Sequence, residues 1–510
     1  MLAKVLSCCT SGIDAYLVDV EVDISGGLPS FSIVGLPDTA IRESRDRIKA
    51  AIKNSGFGFP AKRITVNLAP ANIKKEGAGF DLPIAIGVLV SNGILTQEEL
   101  KDYVICGELS LDGRIKHIKG VLPITLKLKQ LNKESIILPK DNSQESSVTK
   151  DVMVYAASSL GEVVGFLKGQ LELKPLKSKL KSLYRKNSHY NVDFGDVKGQ
   201  FHVKRGLEVA AAGGHNALLI GPPGSGKSML SKRLPTILSD MTIDEALETS
   251  KVQSVAGLLS PKRGLTATRP FRSPHHTISG AAMIGGGSHP RPGEISLVHN
   301  GVLFLDELPE FNRNVLEVLR QPLEEGEITV SRVEATVTYP SRFMLIAAMN
   351  PCPCGYFTDP KNECFCTPHQ IQRYLSKISG PLLDRIDIHL QVPRLTYNQL
   401  SRKRDSEPSS AIKARVDNAR RLQEVRYCKE KIKFNAYLES KALDRFCALD
   451  KEGEELLKAA ILEIGISARA YDKILKISRT IADLDGKENI EAAHISEAIG
   501  YRSLDRNLWA

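Results

Sequence analysis

The 510-residue sequence predicts a multidomain α/β protein: an α+β domain at 1–170, a parallel α/β domain at 196–393 and a helical bundle at 411–510. Three observations lead there. The chain is too long for one ordinary hydrophobic core, and a domain size of roughly 150 residues gives about three domains. Two polar, charged stretches, 171–195 and 394–410, separate regions of different composition. The hydrophobic pattern also changes between them. Short strands mixed with amphipathic helices give way to apolar strands alternating with helices and glycine-rich turns, and then to helical spacing throughout.

Composition narrows the class. The chain is 42% hydrophobic and 25% charged and contains no apolar run of the length a membrane span needs. Residues 1–10 lack the long apolar core and cleavage site of a secretory signal. The nine cysteines are not spaced as a disulfide framework. A cytoplasmic protein is expected. The net charge of +10 suits a polyanionic partner, although charge alone selects no partner.

In the first region, strands are expected at 15–22, 30–34, 63–68 and 135–138, with an amphipathic helix at 38–55. Within the 171–195 stretch stand six basic residues, Lys174, Lys177, Lys179, Lys181, Arg185 and Lys186, and no acid between 173 and 192. It reads as a solvated connector in preference to a DNA-binding arm, because like charges repel. In the second region three buried strands are predicted at 217–220, 301–305 and 343–349, each ending in polar residues. Ligands of open α/β sheets bind at the carboxyl ends of strands. After the second linker, which contains Pro408, helices are predicted at 453–464 and 468–482.

The chemistry begins at Gly221-Pro222-Pro223-Gly224-Ser225-Gly226-Lys227-Ser228, a G-x-x-x-x-G-K-S loop between a strand and a helical run at 229–238. Glycines let the backbone curl so that its N–H groups hold phosphate oxygens. Lys227 neutralises the β and γ phosphates of ATP, and the Ser228 hydroxyl is a Mg²⁺ ligand. The strand at 301–305 then delivers Asp306 and Glu307. Asp306 is placed for Mg²⁺ and Glu307 for orienting the attacking water, since successive residues of a strand point oppositely. Asn350 follows the strand at 343–349, where its amide can bond the γ-phosphate or the lytic water. A turn-forming Asn before Pro351 is the plainer alternative.

These parts, in this order, resemble the AAA+ ATPases, and closely their magnesium-chelatase-like ComM/YifB group. The resemblance is carried by Gly199-Gln200, Gly213-Gly214-His215-Asn216, the run from Arg269 through His275 and His276, Arg291-Pro-Gly-Glu294, Phe304-Leu-Asp-Glu-Leu308, Leu319-Arg-Gln-Pro-Leu323 and Ala348-Met-Asn-Pro-Cys-Pro-Cys-Gly355. It implies that Asn350 is sensor 1, Arg385 an arginine finger offered to a neighbouring subunit, and Arg469 sensor 2. It also implies a homo-hexameric ring with helicase and branch-migration activity on DNA. An intrachain pair with Asp384 or Asp387 is the alternative for Arg385.

An alternating stretch at 327–339 predicts a β-hairpin, and in related ring motors a hairpin at this place faces the pore. That would set Arg332 near its tip against nucleic acid. The loop 268–294 carries Arg272, His275 and His276 among glycines and prolines, also suited to phosphate contact. Cys352, Cys354, Cys364 and Cys366 form C-x-C-x₉-C-x-C, enough ligands for a structural zinc ion, against the alternative of reduced thiols in a tight loop.

Residues 76–79, 107–113 and 118–121 make the first domain resemble the proteolytic domain of Lon, a ribosomal-S5-like α+β fold. Lon-type cleavage needs a serine activated by a lysine, and those positions fall here on Gly77 and Leu122. The domain is therefore expected to be non-catalytic. A motor acting on a protein partner, as in magnesium chelatase, and an ATP-dependent protease are the competing readings.

Overall fold

The computed structural model describes residues 2–502 except 288–289, 332–335, 358, 360, 396–405, 431 and 465–467; the side chains of 440, 461, 463–464 and 468–469 also lie outside the description. Strands Leu2–Ser11 and Asp14–Ser25 pair antiparallel across a two-residue turn, with Leu2 opposite Asp23 and Ser11 opposite Asp14. Gly12 takes φ +60 in that turn. The first strand is not evident in the sequence pattern, because Lys4 and Ser7 break its apolar run. Arg63–Ala69 alternates buried Ile64, Val66 and Leu68 with less buried neighbours, the mark of a strand covered on one face. It joins Asp14–Ser25 antiparallel and Ser30–Val34 in parallel. Strands Tyr103–Ile105, Ser135–Pro139 and Met153–Ala157 extend the other edge, completing a seven-stranded mixed sheet.

Helix Asp81–Ser91 is buried from Asp81 to Val90 and lies on this sheet. At Gly87 an added Cβ would sit 2.6 Å from Val22 Cγ2, so helix and strand approach as closely as glycine permits. The one charge in the helix, Asp81, accepts two hydrogen bonds from Arg47 at 3.0 and 3.2 Å. Arg47 comes from helix Thr39–Asn54, whose N-cap Asp38 accepts from the Ile41 amide at 2.8 Å.

The 171–195 stretch differs from the solvated connector expected. It forms helix Leu180–Asn187, and Leu180 and Leu183 are buried. They cluster with Leu122 and Val148 of the first domain and with Met241, Ala246 and Leu265 beyond. The lysines hid this: two leucines at i, i+3 suffice to bury one stripe while the cations stay outside.

The second region is a five-stranded parallel sheet in the order Phe271–Arg272, Gly301–Leu305, Phe343–Met349, Ala217–Ile220, Ile388–Gln391. Gly301–Leu305, Phe343–Met349 and Ala217–Ile220 are buried throughout, as parallel strands covered on both faces should be. Ala217 and Leu219 face one hydrophobic cluster, Leu218 and Ile220 the other. The first cluster continues without a break into the C-terminal helices, through Val416, Ile474, Ile477 and Ile495. The helices Lys451–Ile464 and Ala468–Leu484 lie where the periodicity puts them.

The hairpin pairs Glu327–Ser331 with Thr336–Pro340. Its Val337 packs against the turn of the first domain, where an added Cβ on Gly12 would meet Val337 Cγ1 at 2.3 Å. Arg332 lies outside the described residues. No described helix is long and apolar enough to cross a membrane.

Candidate functional site

The sheet order puts the carboxyl ends of Ala217–Ile220, Phe343–Met349 and Gly301–Leu305 side by side, and the polar groups that follow them meet there. The Gly221 amide bonds the Met349 carbonyl at 3.2 Å, tying the start of the glycine loop to the neighbouring strand. An added Cβ on Gly221 would lie 2.2 Å from the Val392 carbonyl oxygen, which excludes any side chain. Gly224 and Gly226 hold φ +74 and +96, the left-handed turns that curl the loop before helix Lys227–Arg233. Gln200 braces the loop from below, its amide donating to the Ser225 and Pro393 carbonyls at 3.2 and 2.7 Å.

Lys227 is buried and its ammonium donates to the Gly221 carbonyl at 2.6 Å, the Pro222 carbonyl at 3.0 Å and Asn350 Oδ1 at 3.2 Å. Burial lowers its pKa to about 8, against the pull of the Asp306 and Glu307 carboxylates. All three partners are neutral acceptors that an anion can displace. Ser228 Oγ donates to Asp306 Oδ2 at 2.6 Å, so the hydroxyl and carboxylate expected to share Mg²⁺ are already in contact. Ser225 is buried within the loop, and Pro222 and Pro223 form its rim.

Glu307 adopts φ +55, ψ +47, a left-handed backbone that non-glycine residues rarely take. The left-handed turn ends the run of the strand directly after Asp306. His276 Nδ1 lies 3.3 Å from the Glu307 carboxylate. Sequence reasoning misses this contact, which sets His276, a residue expected on nucleic acid, beside the carboxylate that follows Asp306. His275 is exposed, with Nδ1 2.9 Å from Thr277 Oγ1.

Arg272 has a partner that its place in the sequence does not announce. Its guanidinium donates to both Glu294 oxygens, at 2.6 and 2.5 Å, so its charge is matched inside the chain. Nearby Arg269 is used in the same way, by the Ser239 and Asn300 carbonyls and Glu245.

The Arg385 guanidinium meets Glu324 and the Pro381 carbonyl, an acid 61 positions away in the chain that the sequence gives no reason to pair with it. It lines a cavity of about 1200 Å³ shared with Arg342, Lys433 and Lys473, and no residue of the glycine loop lines that cavity. Its backbone is fixed by Asn216, which donates to the Arg385 carbonyl and accepts from the Leu345 amide, both at 2.8 Å. The preceding His215 is fully buried, with Nδ1 3.1 Å from Asp387 and Nε2 2.9 Å from Thr480 Oγ1. Burial would raise the Asp387 carboxyl, but the His215 hydrogen bond and the Lys473 charge outweigh it and hold it at about 2. The Gly-Gly-His-Asn segment is thus a junction between sheet, Arg385 and C-terminal helix. Arg469 is on the first turn of helix Ala468–Leu484; its side chain lies outside the described residues.

The four cysteine sulfurs all lie within 4.8 Å of one another. The cluster directly follows Asn350 and Pro351 in the chain.

Comparison with known proteins agrees with this arrangement along almost the whole chain. Residues 193–400 match the family model "Magnesium chelatase, subunit ChlI", residues 20–142 "Subunit ChlI of Mg-chelatase", and residues 406–502 "Magnesium chelatase, subunit ChlI C-terminal". The chain is 46% identical to competence protein ComM of Haemophilus influenzae, over 99% of this chain and 98% of that one. It is 45% identical to YifB of Escherichia coli, over 98% and 96% of the two chains. A more distant relative is the zygotic DNA replication licensing factor mcm6 of Xenopus tropicalis, 21% identical over 67% of this chain and 40% of the relative.

Proposed function

Because the chain belongs to the magnesium-chelatase ChlI family, in its ComM/YifB group, we propose that it is a cytoplasmic AAA+ ATPase that works as a homo-hexameric ring. In this reading it drives a strand of DNA through the ring and promotes branch migration during recombination or natural transformation. The observation that carries the ATPase assignment is the convergence of Lys227, Ser228, Asp306 and Asn350 at one edge of the sheet, with Ser228 Oγ 2.6 Å from Asp306.

The residues fit Mg²⁺ and ATP. Ser228 and Asp306 would hold Mg²⁺, which neutralises charge on the β and γ phosphates. The amides of Gly224, Ser225 and Gly226 cradle phosphate oxygens. Lys227 exchanges its carbonyl partners for phosphate, releasing Asn350 to report on the γ-phosphate. Glu307 orients the water that attacks. Arg385, remote from its own glycine loop, acts on the neighbour's ATP. Such a finger contributes about 10³ to 10⁵ in rate, roughly 4 to 7 kcal/mol. Arg469 serves as sensor 2 from the C-terminal helices, and a structural zinc in the cysteine cluster completes the cofactors.

DNA as the substrate is supported by the net charge of +10, by the hairpin that carries Arg332, and by the names of the competence and replication-licensing relatives. The first domain is read as a Lon-like module without proteolytic chemistry. The nucleophile position is Gly77, and the lysine position is Leu122, fully buried in apolar surroundings.

The test is ATPase rate with and without forked or four-way-junction DNA, in the wild type and in Glu307→Gln. Strong stimulation that vanishes in the variant supports the DNA motor. Absence of stimulation across salt concentrations, with basal hydrolysis intact, removes DNA and leaves a motor acting on a protein partner.

A further inference from the structure

Cysteine sulfurs that merely fill a loop have no reason to converge on a point. Here Cys352 Sγ lies 3.3 Å from Cys354 Sγ and 3.6 Å from Cys364 Sγ, and Cys354 to Cys364 is also 3.6 Å. A tetrahedral zinc thiolate with Zn–S of about 2.3 Å spaces its sulfurs about 3.8 Å apart, whereas a disulfide needs about 2.0 Å. The set fits a common centre and no disulfide. Cys366 completes it, every sulfur being within 4.8 Å of the others. The Phe357 amide donates to Cys352 Sγ at 3.3 Å, and the Gly355 amide to the Cys352 carbonyl at 3.0 Å, folding the first C-x-C arm around its first sulfur. An amide aimed at a ligand sulfur is the kind of outer contact that orients a metal site.

The position of this knuckle in the chain gives it a second property. Its first arm begins two residues after Asn350, and Cys352 is fully buried. Its second arm runs through the N-cap Thr367 into helix Pro368–Leu375, whose Tyr374 and Leu375 pack in the cluster that holds Met349 and Ile220. Gly355, at φ +85, leans on the glycine loop itself. An added Cβ there would lie 2.6 Å from Pro223 Cδ and 3.7 Å from Asn350 Cγ. One short loop therefore touches both the rim of the phosphate cradle and the amide that bonds Lys227.

We propose that Cys352, Cys354, Cys364 and Cys366 bind one structural Zn²⁺, and that the closed knuckle positions Asn350 and Pro223 for ATP hydrolysis without touching nucleotide. The inference rests on the ATPase reading for its second half alone. Binding displaces the thiol protons to solvent, and four protein ligands leave no open position on the metal. Zinc here acts through geometry. Its loss lets the segment after the strand Phe343–Met349 relax, and displacement of a catalytic group by about 1 Å costs about 10²-fold in rate.

The experiment uses the full chain, purified without a histidine tag. Zinc per chain is measured by elemental analysis, and a Co²⁺-exchanged sample is scanned for the visible bands of a tetrahedral tetrathiolate. The expected result is one zinc per chain and those bands, both lost in Cys364→Ser, with zinc kept in Cys366→His. In the zinc-free variant kcat falls at least about tenfold with little change in nucleotide Kd, whereas Cys366→His keeps the wild-type rate. Gly355→Ala separates the two halves: it keeps zinc and a cooperative melting transition, lowered by strain at its positive φ, but loses rate to a similar degree. Wild type without zinc or cobalt bands overturns the site. One zinc per wild-type chain, with wild-type rates in both the zinc-free Cys364→Ser and the zinc-bound Gly355→Ala, overturns the positioning role. A wild type that binds zinc but hydrolyses no ATP refutes the ATPase reading, and with it the positioning role, while the metal site stands.

Discussion

The glycine loop and the loop 268–294 both carry cations among glycines and prolines, yet they treat those cations in opposite ways. Lys227 rests on two carbonyls and an amide oxygen. Arg272 is locked on both oxygens of Glu294, and Arg269 adds Glu245 to three carbonyls. A cation is ready for phosphate where its present partners are neutral and can be displaced; a carboxylate that grips it bidentately makes it part of the frame. The same contrast divides the histidines of one loop. His276 lies on Glu307, and His275 stays exposed with a threonine hydroxyl beside it.

Arg385 is the hardest test of that contrast, because Glu324 grips it within the chain although it is read as acting between chains. Arg385→Ala should lower kcat by about 10³-fold while leaving nucleotide affinity near wild type. Mixing Arg385→Ala with Lys227→Ala subunits should recover part of the activity, since a mixed ring holds some sites with both groups intact. Failure of every mixture to recover activity would make Arg385 part of the frame, like Arg272.

The Asp387 junction gives the next largest effect. Its folded pKa of about 2 lies below the ordinary carboxyl value of 3.8, so its contribution is fully present above pH 4 and fades as pH falls toward 2. Asp387→Asn should cost about 2 kcal/mol in denaturant unfolding at pH 7, and the gap to wild type should narrow in acid. A gap that is constant with pH would assign the loss to packing instead of charge.

Arg272→Ala should show the smallest effect, about 1 kcal/mol of stability for a partly exposed pair. The slope of DNA affinity against salt should not change. A slope smaller by about one unit would mean that Arg272 reaches phosphate after all.

Much of the site was legible because its strands are buried on both faces. Continuous apolar runs with abrupt polar ends placed Ala217–Ile220, Gly301–Leu305 and Phe343–Met349 to the residue. Parallel strands then bring the polar residues after each run to one edge of the sheet. The edge strands were not legible: Phe271–Arg272 is two residues long, and Ile388–Gln391 carries His389. The Glu307 partner was also hidden, because His276 lies 31 positions away and only sheet order brings the two together. The helix at Leu180–Asn187 was masked by its own lysines. Residue type reveals what a group can do, and neighbours distant in sequence decide whether it is free to do it.

The seat of Val337 on the Gly12 turn has a mechanical consequence. With van der Waals contact at this point and no room for even a methyl group, the hairpin Glu327–Ser331, Thr336–Pro340 has no slack against the first domain. A swing of the hairpin in the hinge sense must either carry the seven-stranded sheet along as ballast or peel off it at Val337. Movement of the hairpin and movement of the first domain are thereby linked through this one contact.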